Sequence, residues 1–140
     1  MAEFKLEQGR IVDIPINSDF SRSRIKISVD VVPEKEFIKI AGRSFVKCTQ
    51  GETLDAIFSD HNLGFAQDLF GKTLTIKVDA TKFRDRELSD DPSTVPVKCK
   101  LIIEAGENLV ERFELDDKVS PSYNSIFLFK IKLNKNNENE

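Results

Sequence analysis

Arg24-Ile25-Lys26-Ile27-Ser28-Val29-Asp30-Val31-Val32 alternates polar and apolar residues almost to its end. In an extended chain successive side chains point to opposite faces. Ile25, Ile27, Val29 and Val31 therefore share one face, and Arg24, Lys26, Ser28 and Asp30 the other. The same period recurs in Leu74, Ile76, Val78 and in Val97, Cys99, Leu101, Ile103. Segments of this kind bury one face and wet the other, as strands of antiparallel sheets do. The chain reads as mainly β: a single-domain antiparallel β-sandwich or partly open β-barrel.

Before this stretch, Phe4–Gln8 and Arg10–Ile16 read as one broken strand or two short ones, interrupted at Gly9. Pro15 marks an edge or a strand end, because proline cannot donate to a ladder. Asn17–Arg22 has the composition of a turn. After it, Pro33 and Glu34-Lys35-Glu36 end the strand, and a hairpin is expected to return through Phe37–Ile40. A bulge at Ala41-Gly42 and a further extended run over Ser44–Thr49 complete this half.

From Thr53 to Asn62 the period changes. Leu54, Ile57, Phe58 and His61 stand at i, i+3, i+4 and i+7, the spacing of an amphipathic helix, and Gly64 follows as a stop. Phe65 and Leu69 ahead of Gly71 extend this into one helical insertion over residues 53–70. Strands are expected again at Lys72–Ala80, Val95–Ala105, Leu109–Asp116 and Ile126–Leu133, the middle two forming a hairpin around Gly106-Glu107-Asn108. Thr81–Thr94 is a long polar connection without pattern, and loops of that length are disproportionately functional. In the last strand Phe127, Phe129, Ile131 and Leu133 share a face while Ile126 and Leu128 take the other, which predicts cover on both sides at its start. One domain over residues 3–133 is expected, followed by a polar, disordered tail over 134–140.

A chain of 140 residues can bury a substantial single core without metal or disulfide. With eleven Phe, one Tyr and no Trp, that core is built from groups that carry almost no polar handle. Cys48 and Cys99 fall beside apolar neighbours on expected strands, and the first residues carry no apolar run of the signal-peptide kind. Free thiols in a cytoplasmic protein are the expectation. No run approaches the ~20 apolar residues of a membrane span. The net charge of −3 hides an asymmetry: residues 1–50 hold nine Lys/Arg against seven Asp/Glu, and the remainder twelve against seventeen. This leaves room for a local basic surface on an acidic protein.

Chemistry is harder to find. A single histidine, His61, removes most metal and acid–base templates, and its place near the end of the expected helix suits favourable interaction with the helix dipole. No Gly-x-Ser-x-Gly elbow, Cys-x-x-Cys pair or phosphate-cradling glycine loop is present. Neither cysteine has neighbours in sequence that would lower its pKa, so no catalytic residue and no cofactor are expected. Asp85, Asp90 and Asp91 in one loop with Asp116 and Asp117 in another offer the hard oxygens calcium prefers, although polar loops are Asp-rich for turn chemistry alone.

The leading reading is a non-enzymatic protein–protein interaction or assembly module, a structural component or small-protein inhibitor, whose exposed sheet edges favour a protein partner or self-association. A second reading is a single-stranded nucleic-acid-binding domain resembling the five-stranded oligonucleotide-binding barrel. Its first and fourth loops would be Asn17–Ser23 and Thr81–Thr94. Each loop region sets an aromatic among basic residues: Phe20 with Arg22 and Arg24, and Phe83 with Lys82, Arg84 and Arg86. Rings stack on bases while cations meet phosphates. The strand bearing Arg43, Phe45 and Lys47 would extend that surface.

Overall fold

The computed structural model of the chain describes residues 11–33, 39–48, 51–83, 95–119 and 125–136. Nine strands are laid down in chain order: β1 (Ile11–Asn17), β2 (Arg24–Pro33), β3 (Lys39–Lys47), β4 (Gly51–Asp55), β5 (Phe58–Phe65), β6 (Thr73–Phe83), β7 (Val95–Ala105), β8 (Asn108–Val119) and β9 (Ser125–Asn136). A 3-10 turn at Ser18–Phe20 and a single helical turn α1 (Ala66–Leu69) complete the described elements. The strands form a five-stranded sheet in the order β1-β9-β6-β3-β4 and a four-stranded sheet in the order β5-β2-β7-β8. The result is a β-sandwich with no closed barrel. Its neighbouring strands are antiparallel except for β1, which runs parallel to β9.

The apolar alternation explains the layering. Ile25, Ile27, Val29 and Val31 of β2 and Val97, Cys99, Leu101 and Ile103 of β7 are buried, and they are aligned in register as Ile27↔Ile103, Val29↔Leu101 and Val31↔Cys99. The facing sheet contributes Leu74, Ile76 and Val78 of β6 opposite Ile131, Phe129 and Phe127 of β9, all fully buried. Withdrawing each such side chain from water contributes about 1.5–3 kcal/mol, and directly opposed branched and aromatic pairs add to it.

Several expectations are corrected here. Residues 53–62 are not helical but divide between β4 and β5, so the expected insertion over 53–70 shrinks to the turn Ala66–Leu69. Leu54, Ala56 and Phe58 point inward with period two, the chain changing sheets at Ala56-Ile57. The helical spacing was a coincidence of two strands meeting at a corner. Ser59, Asp60, His61 and Asn62 are weak helix formers, and Asp60 takes a left-handed φ of 53°. Likewise β2 and β3 do not form a hairpin, since they belong to different sheets. β1, β2 and β3 make no pairs with one another, so the strand order of an oligonucleotide-binding barrel is not formed. At the start of β9 Ile126 is 45% exposed, so that strand is not covered on both sides there. Asn134–Asn136, expected in the tail, continue β9 beside Pro15–Asn17.

Gly42 marks a close approach of β3 to β6 in place of a bulge, for their register runs without a shift from Lys39↔Phe83 to Lys47↔Thr75. Its φ is 133°, and a Cβ built there would overlap the carbonyl oxygen of Asp79. The same residue's carbonyl accepts from the N–H of Ala56 (3.2 Å), and the buried hydroxyl of Ser44 donates to the Ala56 carbonyl (3.3 Å). This pins the corner where β4 leaves for the other sheet. Gly42→Ala is expected to lower unfolding free energy by at least about 2 kcal/mol, because the left-handed backbone and the overlap both oppose a side chain. Chemical denaturation checks it, and a variant as stable as the parent would refute the close approach.

Candidate functional site

At one end of the sandwich the 3-10 turn sits beside α1. Ser21 and Ser23 accept backbone hydrogen bonds from Gln67 and Ala66 (both 2.9 Å), and the N–H of Gly106 donates to the Arg24 carbonyl (2.8 Å). Phe20 is half-buried and packs against the core, which makes it a plug for that end of the sandwich. Arg22 is exposed. The Arg24 guanidinium lies 4.8 Å from the centroid of Phe65, its partner in register on β5. Phe65 was not singled out from the sequence, where it read as the edge of a helix. A cation over an exposed ring contributes about 0.5–1 kcal/mol.

The other half of the expected nucleic-acid set is not brought to this end. Thr73 opens β6 near α1, whereas Lys82 and Phe83 close it ten residues later, roughly 33 Å away at ~3.3 Å per residue. Arg84 and Arg86 lie outside the described residues, as do Asp85, Asp90 and Asp91. Phe20, Arg22 and Arg24 thus share one end, and the backbone of Lys82 and Phe83 stands at the opposite one.

Asp116 and Asp117 are successive residues of β8 and so present their carboxylates to opposite faces of the sheet. Lys98 engages the outward one, Nζ standing 4.0 Å from Asp116 and 3.4 Å from Glu114. An open depression of about 450 Å³ lies alongside, lined by Val32, Pro33, Pro96, Lys98, Asp116 and Asp117 among others. Among the described residues no three His, Cys, Asp or Glu side chains come together as metal ligands.

His61 lies on β5, not on a helix. Its Nε2 is 3.3 Å from Glu52 of β4, and its ring meets Phe58 edge-on at 5.9 Å. It ties together the two edge strands between which the chain changes sheet. Both cysteines are free. Cys99 is fully buried, and its pKa is pushed up from 9.0 to about 12, by burial first and by the negative charge of Asp30 second. The half-buried Cys48 is also raised, by burial, with Lys72 partly opposing. Neither thiol is primed as a nucleophile.

The outward faces of the two sheets differ in how their charges are arranged. On the four-stranded sheet, opposite signs face each other in register as Asp30↔Lys100↔Glu114, Lys98↔Asp116 and Lys26↔Glu104. On the five-stranded sheet, Lys47, Lys77, Lys130 and Lys132 form a continuous group in which the directly opposed positions are Gly51, Thr75, Thr73, Leu128, Phe45, Ile11 and Asp13. Asp13 is the one acid among these opposed positions, its Oδ1 accepting from Asn134 Nδ2 at 2.8 Å, and Asp79 follows Lys77 by two residues on the same face of β6. Phe45, 43% exposed, stands directly opposite Lys77 and two residues before Lys47. Its Cζ would be 2.7 Å from a Cβ at Gly51, so the missing side chain there makes room for the ring. The alternation of each strand shows these lysines facing away from the core. Their convergence depends on pairings between β3, β6 and β9 that no local spacing encodes.

No family model, curated protein or solved structure matches this chain. Among the described residues no helix is long and apolar enough to cross a membrane.

The raised thiol has a measurable consequence. Between pH 9 and 12 the unfolded state releases the Cys99 proton while the folded state keeps it, so this contribution to stability is intact below pH 9 and is lost as pH rises. From pH 9 to 10.5 the parent should lose about 1.6 kcal/mol more than Cys99→Ala. Denaturant titrations of both proteins at the two pH values test this, and parallel losses would show that Cys99 is not the buried titrating group.

Proposed function

We propose that this chain is a non-enzymatic interaction module, a component of a larger assembly or a small-protein inhibitor, that recruits an extended segment of a protein partner along β8. The observation that carries this reading is the contrast among the four edge strands that the described residues form. Open edges invite another strand, and proteins blunt them with proline, bulges, shortness or charged side chains. β1 carries the exposed Pro15, β4 has five residues, and β5 is broken by two register shifts with Asp60 and Gly64 at positive φ. β8 has twelve residues, contains neither proline nor glycine, and pairs with β7 along its length with one shift, at Ile103/Glu104.

What β8 does carry is charge. Glu111, Glu114, Asp116 and Asp117 outnumber Arg112 and Lys118, so the partner strand that fits is basic. Backbone hydrogen bonds would supply affinity, and alternate side chains the selectivity. Charge complementarity of this type acts mostly on the rate of association and on the rejection of wrong partners.

Selection of twelve-residue peptides from a displayed library, followed by amide hydrogen exchange of the bound protein, tests the reading. Recovered peptides should be basic and should protect amides within 108–119, and Glu111→Lys should weaken them several-fold. Peptides that protect a different strand, or a selection that yields none, would refute it.

A further inference from the structure

A second surface is built on the other sheet and does not depend on pairing at β8. From the outward face of the five-stranded sheet we infer a binding site for single-stranded nucleic acid, with Phe45 as a stacking platform and Lys47, Lys77, Lys130 and Lys132 as the phosphate track.

The four lysines are neighbours in series. Lys47 pairs with Thr75 and Phe45 with Lys77, so Lys47 and Lys77 are diagonal across β3 and β6. Thr75 pairs with Lys130 and Lys77 with Leu128, so Lys77 and Lys130 are diagonal across β6 and β9. Diagonal positions are about 7–8 Å apart. Lys132 follows Lys130 on the same face of β9, about 6.6 Å on. Lys47 and Lys130 stand level with each other on either side of Thr75, with Lys77 displaced to one side of that line and Lys132 to the other, and the acid in register with the group is Asp13, opposite Lys132 on the edge strand β1. Asp55 and Asp79 stand in register on either side of Arg43, one same-face rung along from Phe45 and Lys77, so the lysine group is bounded by acid on that side. None of the four lysines makes an ion pair among the described residues.

Gathering like charges on one sheet face costs stability unless something neutralises them. On the opposite sheet Lys98 and Lys100 are answered by Glu114 and Asp116 in register. Here a polyanion would do so, and release of its counterions would drive binding. The aromatic narrows the class of ligand. Phe45 sits beside Lys77 and Lys47, with its ring accommodated over Gly51. A base face can reach such a ring only when the base is unpaired, which selects a single strand over a duplex.

The test is fluorescence anisotropy with the full chain and labelled 20-nucleotide single-stranded DNA and RNA, and the matching duplexes, across a salt series. Expected is saturable binding of the single strands, tighter than of the duplexes, with log K falling against log salt at a slope of about −2.8 for four phosphate contacts. Phe45→Ala should weaken binding roughly 5- to 150-fold, the loss of one stacked base, and Phe45→Tyr should restore it. Lys77→Gln, at an exposed position, should bring the slope down by about 0.7. Thermal melts establish that each variant is folded. Absence of binding at low salt overturns the proposal. So does binding that Phe45→Ala and Lys77→Gln leave unchanged, or equal affinity for duplex.

Discussion

Two apolar sheet faces that can leave water only against each other are the constraint on which the rest of this molecule depends. Phe127 and Phe129 of β9, Leu74, Ile76 and Val78 of β6, and the buried rows of β2 and β7 have no polar atoms in their side chains except the thiol of Cys99. Burial of these rows is non-directional, so it specifies that the two sheets stack and leaves the detailed fit to shape. No separate device is needed to hold the layers together, and both cysteines remain free.

Stacking in this way dictates an unusual economy of connections. Only β3–β4 and β7–β8 are successive strands that pair within one sheet, while every other step along the chain moves to the facing sheet. Such crossings need corners, and the corners are where the exceptional residues stand. Gly42 lets β3 approach the Asp79 backbone and accepts the bond that holds Ala56, and Phe20 closes the end where β1 passes to β2. Glu52 and His61 tie β4 to β5 across the change of sheet. These residues answer to architecture, which is why the aromatic of the first expected binding loop is drawn into packing.

With the inner faces committed to packing, any function has to use edges and outer faces. The outer faces are far from equivalent. One is laced by opposite charges in register, and such pairs contribute little individually. The other concentrates lysines about an exposed phenyl ring. Among the edges, three are blunted and one is long and regular. Two surfaces on different sheets could in principle be occupied at once.

The period of hydrophobicity was legible wherever a strand was straight: β2, the body of β6, β7 and β9 were all marked by which side chains must be buried, and the hairpin at Gly106 by its turn residues. It misled at Leu54–His61, where two short strands separated by a corner mimic the spacing of a helix. Alternation states which face of a strand is apolar, but it carries no information on which other strand will lie beside it. For that reason the separation of Phe20 from Phe83, the divergence of Asp116 from Asp117 and the gathering of Lys47, Lys77, Lys130 and Lys132 came only with the paired sheets. Face is a local property of a chain with period two, whereas register and neighbour are set by the joint burial of residues as far apart as Ile14 and Leu133.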